Sequence, residues 1–180
     1  MNDKNILVVC LTGNEQDAAL VAASARLAGQ IGGQALALCL SNDTANMCIQ
    51  AGAGSCAVLP YIGADDLVLA KALAGYCKKH AFCAVLCNAT VRGRAVMPMA
   101  AVLLQTGLTA DCTSLELAGD GTLTQIRPAF GSNVLARIVC SSRPQMATVR
   151  PGIYPPASLK TACTSAAQHK CMLFLNLRSE

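Results

Sequence analysis

Tryptophan is absent, and three tyrosines and three phenylalanines are the whole aromatic complement of the 180 residues. Few rings are left to stack on nucleic-acid bases, and no basic run interleaved with aromatics occurs, so nucleic acid is a poor partner class. Charge is sparse as well: 13% of residues are charged, with 14 basic against 10 acidic and a formal net charge of +4. No apolar run approaches the roughly 18–20 residues of a membrane span, and the polar start, Met1 to Lys4, does not read as a signal peptide. These features predict a cytoplasmic chain with no membrane insertion. The short catalytic signatures are missing too. There is no GxSxG, no HExxH and no GxxxxGK[ST], and the turn after the first strand carries one glycine, Gly13, where a dinucleotide fingerprint needs three. The two histidines, His80 and His169, have no nucleophile set beside them and read as surface or capping residues. No catalytic residue and no metal ligand is expected, and the chain does not read as an enzyme.

What is abundant is small and apolar. Hydrophobic residues make up 53% of the chain, and with so few rings the core must be built from Ala, Val, Leu and Ile. Such side chains let helices pack closely on a sheet. Eleven cysteines are present, an odd number without a CxxC pair. Several sit inside apolar runs, as in ILVVCL and LALCL, and read as small buried hydrophobes in a reducing compartment. Cys77, Cys83 and Cys87 match no strong ligand spacing, and Cys83 and Cys87 are read as sharing one strand face, too far apart to chelate.

Continuous apolar runs at 5–11, 35–40, 56–60 and 81–87 predict strands buried on both faces, as in a parallel sheet. Helices are predicted between them: one capped by Asn14 with Glu15 and Asp17 in its first turn, one capped by Asn42 or Asp43, and one opened by Asp65 and Asp66. A further helix runs from Gly93 to Gln105, with Pro98 in its first turn or at a kink. The order βαβαβαβα implies right-handed crossovers. Beyond it the pattern changes. Residues 112–118 and 122–128 flank a turn tipped by Asp120-Gly121, and 133–140 and 145–150 read as two more strands. The expected fold is α/β: a three-layer Rossmann-like, mostly parallel sheet with added antiparallel strands at the C-terminal end. PGIYPP at 151–156 breaks the structure, and CMLFLNL at 171–177 reads as a last isolated strand.

Six arginines, Arg92, Arg94, Arg127, Arg137, Arg143 and Arg150, fall in the second half, where the forked guanidinium suits fixed contacts. Arg127 and Arg143 each precede a proline and are held extended. Asp111 lies in TGLTADC at 106–112, read as a loop before a strand, where it caps, accepts from backbone amides or pairs with an arginine.

Four segments occur in register: RGRAVMPMAA at 92–101, TGLTADCTSLE at 106–116, RPAFGSNVLARIV at 127–139 and RPQMATVRPGIYPP at 143–156. In order and spacing they resemble the N-terminal domain of electron-transfer flavoprotein alpha subunits, strongly over 82–156 and by fold pattern over 5–81. The resemblance implies a heterodimer with a beta subunit, serving flavin dehydrogenases as redox partners, with an adenine-nucleotide alpha-hydrolase-like fold in this domain. It implies FAD in the full heterodimer, bound mainly by a C-terminal alpha domain whose glycine-rich segments do not occur here. This chain by itself is therefore expected to hold no flavin tightly. The domain division implied is 1–154 for the α/β domain and 155–180 for a linker and terminal strand leading to the flavin domain. Arg127, Asn133, Arg143 and Arg150 are expected in or beside the subunit interface, and Asp111 and Thr113 are expected to anchor the loop at 106–113. Left unpaired, that interface could make the isolated domain homodimerise. The alternative reading is a standalone adenine-nucleotide or flavin-binding module.

Overall fold

The computed structural model describes residues 4–59, 65–130 and 134–159, together with the backbone of 173–174. The amino half alternates strand and helix: β1 (Ile6–Cys10), α1 (Glu15–Gln30), β2 (Ala35–Cys39), α2 (Asn42–Gln50), β3 (Ser55–Val58), α3 (Asp66–Lys79), β4 (Ala84–Asn88) and α4 (Val91–Leu104). Six strands follow: β5 (Leu108–Cys112), β6 (Ser114–Leu117), β7 (Leu123–Ala129), β8 (Val134–Val139), β9 (Gln145–Val149) and β10 (Leu173–Phe174). Seven of the ten strands form one sheet in the order β10-β3-β2-β1-β4-β9-β5, every pairing parallel. The other three form a separate antiparallel sheet, β6-β7-β8.

The expected α/β fold is present, and the caps explain much of it. The Asn14 side chain accepts from the amides of Gln16 and Asp17 at the start of α1, and Asp65 accepts from Leu67 at the start of α3. Helix α2 is capped by Ser41, one residue before the expected Asn42, because the Ser41 hydroxyl reaches the Thr44 amide. Thr90 caps α4 in the same way, so that helix begins at Val91 rather than Gly93. Pro98 lies well inside α4, past its first turn. Gly93 is there for contact, not flexibility: a Cβ at that position would stand 2.1 Å from the Asn88 carbonyl oxygen, so only glycine lets α4 cross the end of β4 so closely.

Alternation along the strands sorts the core into two layers. Ile6, Val8 and Cys10 of β1 pack with Leu20 and Val21 of α1 and with Cys48 of α2. Leu7 and Val9 pack on the other face with Leu69 and Leu73 of α3 and Met97 of α4. Cys83 and Cys87 fall into different layers, contrary to the expectation that they share a face. Cys83 precedes the first residue of β4 and so escapes its alternation.

Two further expectations need correction. The segment 106–112 is not a loop, because β5 occupies its second half and pairs parallel with β9. The strand at 145–149 is not one of the antiparallel additions, since it inserts parallel between β4 and β5. The antiparallel hairpin around Asp120-Gly121 is found as expected, with Gly121 at φ +80. The buried amide of Gln145 ties this hairpin to the main sheet. It accepts from the Leu123 amide at 2.9 Å and donates to the Gly121 carbonyl at 2.9 Å.

Gln125, in the middle of β7, is 0% exposed, and neither its side-chain nitrogen nor its oxygen has a hydrogen-bond partner among the described residues. A buried amide in that state keeps its desolvation cost with nothing to offset it. Gln125→Met is therefore expected to raise stability by about 1 kcal/mol. Urea denaturation checks this, and a destabilised variant would mean that the amide has a partner after all.

Candidate functional site

The strand order places a topological switch point between β1 and β4, since the chain winds outward from β1 through β2 and β3 and then returns to β4. Open α/β sheets take their ligands in the crevice at the carboxyl ends of the strands at such a point. Here that crevice is lined by Glu15, Gln16, Asn88, Arg150 and Tyr154, among others, and encloses about 200 Å3.

Asn88, on its wall, is held by a buried carboxylate. Asp17, in the first turn of α1, is 1% exposed. One of its carboxylate oxygens accepts from the Thr12 amide at 3.0 Å, the Gly13 amide at 2.8 Å and the Thr12 hydroxyl at 2.8 Å. The other accepts from Asn88 Nδ2 at 2.8 Å, at the end of β4. Loop amides at a helix amino terminus are the groups that cradle a phosphate in nucleotide-binding relatives of this architecture. In this chain they already hold an anion, and a phosphate brought to them would meet a fixed negative charge. Sequence reasoning placed Asp17 correctly in the first helical turn but missed this role, because its partner Asn88 lies 71 residues away.

A second cluster lies at the carboxyl ends of β5 and β9. Asp111 has φ +60, in the left-handed region, where the β5–β9 register shifts between Thr109 and Cys112. Its amide donates to the Thr148 hydroxyl at 3.0 Å. Its carboxylate accepts from Arg150 at 2.7 Å and from Arg94 of α4 at 3.1 Å. The hydrogen bond from Arg150 is the chief cause that holds the Asp111 carboxyl below the usual carboxylate range, with Arg94 adding to it. Thr113 donates from its backbone to the Ile126 carbonyl at 2.8 Å, and its hydroxyl reaches the same oxygen at 3.4 Å. Both residues expected to be anchors are therefore engaged, though what they fix is a bulged strand and the start of the hairpin.

The structure does not gather the arginines expected at an interface. Arg150 follows β9 and is held by Asp111, whereas Arg143 precedes β9 at the other end of the sheet, beside the Gly121 turn. Arg127 lies within β7, opposite Ala136. Asn133 lies outside the described residues. His80 caps the end of α3 with its ring 4.5 Å from that of Tyr76, and His169 is outside the described residues.

The antiparallel sheet presents the most apolar exposed surface. Phe130 is 93% exposed and Leu135 61%, with Val134 and Val139 also exposed along β8. Arg137 and Glu116 pair at 2.6 Å across the same sheet, on the face that also carries Leu135 and Val139. Among the described residues, no helix is long and apolar enough to cross a membrane.

The family profile for the electron transfer flavoprotein domain matches residues 10–170. The chain is 49% identical over 85 residues to the electron transfer flavoprotein subunit alpha of Thermoanaerobacterium thermosaccharolyticum, an alignment covering 47% of this chain and 26% of that protein. It is 51% identical over 80 residues to the subunit of the same name from Clostridium acetobutylicum, covering 43% and 24%. It is 46% identical over 82 residues to the lactate dehydrogenase (NAD(+),ferredoxin) subunit LctC of Acetobacterium woodii, covering 45% and 20%. The chain thus matches about a quarter of the length of these relatives.

Two outcomes follow from the clusters. Asp17→Ala leaves two loop amides and the Asn88 amide without their acceptor and is expected to cost about 3 kcal/mol in chemical denaturation; wild-type stability in that variant would show that the hub is replaceable. Asp111 is held below its ordinary pKa, so its contribution is present in full above the unfolded carboxylate value, about pH 4, and is lost as pH falls through the folded value. The melting temperature of Asp111→Asn is therefore expected to lie below wild type at pH 7 and to converge on it in strong acid. A gap that does not change with pH would remove the ion pairs as its cause.

Proposed function

This chain belongs to the electron transfer flavoprotein domain family, and from that premise we propose that it is the alpha-type N-terminal part of such a carrier, a scaffold that pairs with a beta subunit. The observation that carries the scaffold reading is the separate antiparallel sheet, whose edge strand β8 sets Leu135 and Val139 in solvent on one face and Val134 on the other, with Phe130 exposed just beyond β7. Strand edges and contiguous apolar faces of this kind are features that partners cover. Arg127, Asn133 and Arg143 belong to the segments that resemble the family's alpha subunits, and we place them in or beside that interface. Arg150, paired with Asp111, is assigned to its margin.

In this reading the domain ends near residue 154, and 155–180 leads on toward a flavin-binding domain. FAD is then the cofactor of the full heterodimer, held outside this chain, and a flavin dehydrogenase is its redox partner. The chain itself carries no catalysis, works in the cytoplasm and, without its partner, covers the sheet by self-association. The internal carboxylate of Asp17 at the switch point supports this over a standalone nucleotide-binding module, because the amides that would hold a phosphate are already taken.

The test is association with a beta-type subunit of the family, measured by sedimentation. Leu135→Asp is expected to weaken binding at least tenfold, and Arg127→Ala by a smaller factor. Binding unchanged by Arg127→Ala would take that arginine out of the interface; binding unchanged by both would sink the assignment of this sheet.

A further inference from the structure

Outside the switch point and the small sheet, one constellation has no part in the reading above. Cys10 ends β1 and Cys39 ends β2, and the two are register partners in adjacent parallel strands, so their side chains share a face. Cys48, near the end of α2, packs onto that face. The Sγ atoms of Cys10 and Cys48 stand 3.6 Å apart and those of Cys39 and Cys48 3.8 Å apart, and all three lie within 4.8 Å of one another. An ion bound by thiolates at about 2.3 Å spaces its sulfurs about 3.8 Å apart in a tetrahedron and about 4.0 Å apart in a trigonal plane. Three elements distant in sequence therefore bring three sulfurs close to the spacing of a ligand set, and small side-chain rotations would complete it.

Two further observations bear on a ligand. A cleft of about 280 Å3, lined by Cys10, Thr12, Gly13, Ser41, Thr44 and Arg92 among others, reaches the cluster at Cys10. The buried Asp17 carboxylate acts electrostatically on both Cys10 and Cys48, so the local potential favours a cation.

We infer that Cys10, Cys39 and Cys48 form a binding site for a closed-shell thiophilic cation, zinc(II) or copper(I), beneath the carboxyl ends of β1 and β2. Soft thiolate sets select these ions, while carboxylate and carbonyl sets select magnesium or calcium. Binding involves no redox step. Three thiols release three protons to solvent as three metal–sulfur bonds form, leaving a net charge of −1 with zinc or −2 with copper. Zinc would take a water from the cleft as a fourth ligand. Copper(I) would stay three-coordinate.

The experiment uses the full, reduced chain. It is incubated with zinc(II), or anaerobically with copper(I), then gel-filtered and assayed for bound metal. About one equivalent is expected in wild type and in Cys77→Ala, whose cysteine packs in the opposite core layer. At least a tenfold loss of affinity is expected in Cys48→Ser. X-ray absorption of the loaded wild type, which needs no variant to fold, is expected to show three sulfurs at about 2.3 Å. Retention of either metal alone supports the site and names its ion. No retention of either metal, equal retention in a folded Cys48→Ser, or an oxygen and nitrogen shell around the bound ion would overturn it.

Discussion

The carboxylate of Asp17 is the point on which the amino half of this structure depends. It is almost wholly buried, yet four donors from two segments far apart in sequence converge on it. Those bonds fix the turn after β1, set the start of α1 and join both to the end of β4, across the one place where the sheet changes winding direction. A buried charge is tolerable only when its lone pairs are met in this way. The same bonds use up the amides that a nucleotide phosphate would need. Local stability and the loss of a phosphate cradle are thus one feature seen from two sides.

The carboxyl half is organised by a different constraint. A strand arriving after the hairpin segment must find a place in a sheet whose edge is already formed, and β9 does so by lying between β4 and β5. Its first residue, Gln145, holds the hairpin through its buried amide, and just beyond its last residue Arg150 holds Asp111. The small antiparallel sheet is therefore pinned to the main one at the start of β9, whereas Arg150 ties the end of β9 to β5 within the main sheet, and β8 keeps a free edge. That separation leaves Val134, Leu135 and Val139 of β8 exposed to solvent.

Among the eleven cysteines, the eight buried ones that the structure describes divide between the two core layers according to strand alternation and helix face. Most serve as small apolar side chains. Burial alone raises Cys77 to about 12, which keeps it an inert thiol. Cys10, Cys39 and Cys48 differ because each finds sulfur neighbours where its burial would otherwise leave it isolated.

The sequence by itself determined the central strands of the parallel sheet, because a strand covered on both faces must be apolar at every position, and ILVVC, ALALC and AVLC are. It also determined two of the four helix starts, since Asn14 and Asp65 cap through bonds only two or three residues long. The hairpin at Asp120-Gly121 was legible for the same local reason. Only the tertiary structure decided that 108–112 is a strand, since its mixed polarity becomes a ladder when β9 arrives from a distance. It alone paired Arg150 with Asp111, turned Asp17 from a helix-start acid into a hub, and brought three cysteines together. Each of these rests on contacts between segments distant along the chain, and no spacing within a short window records them.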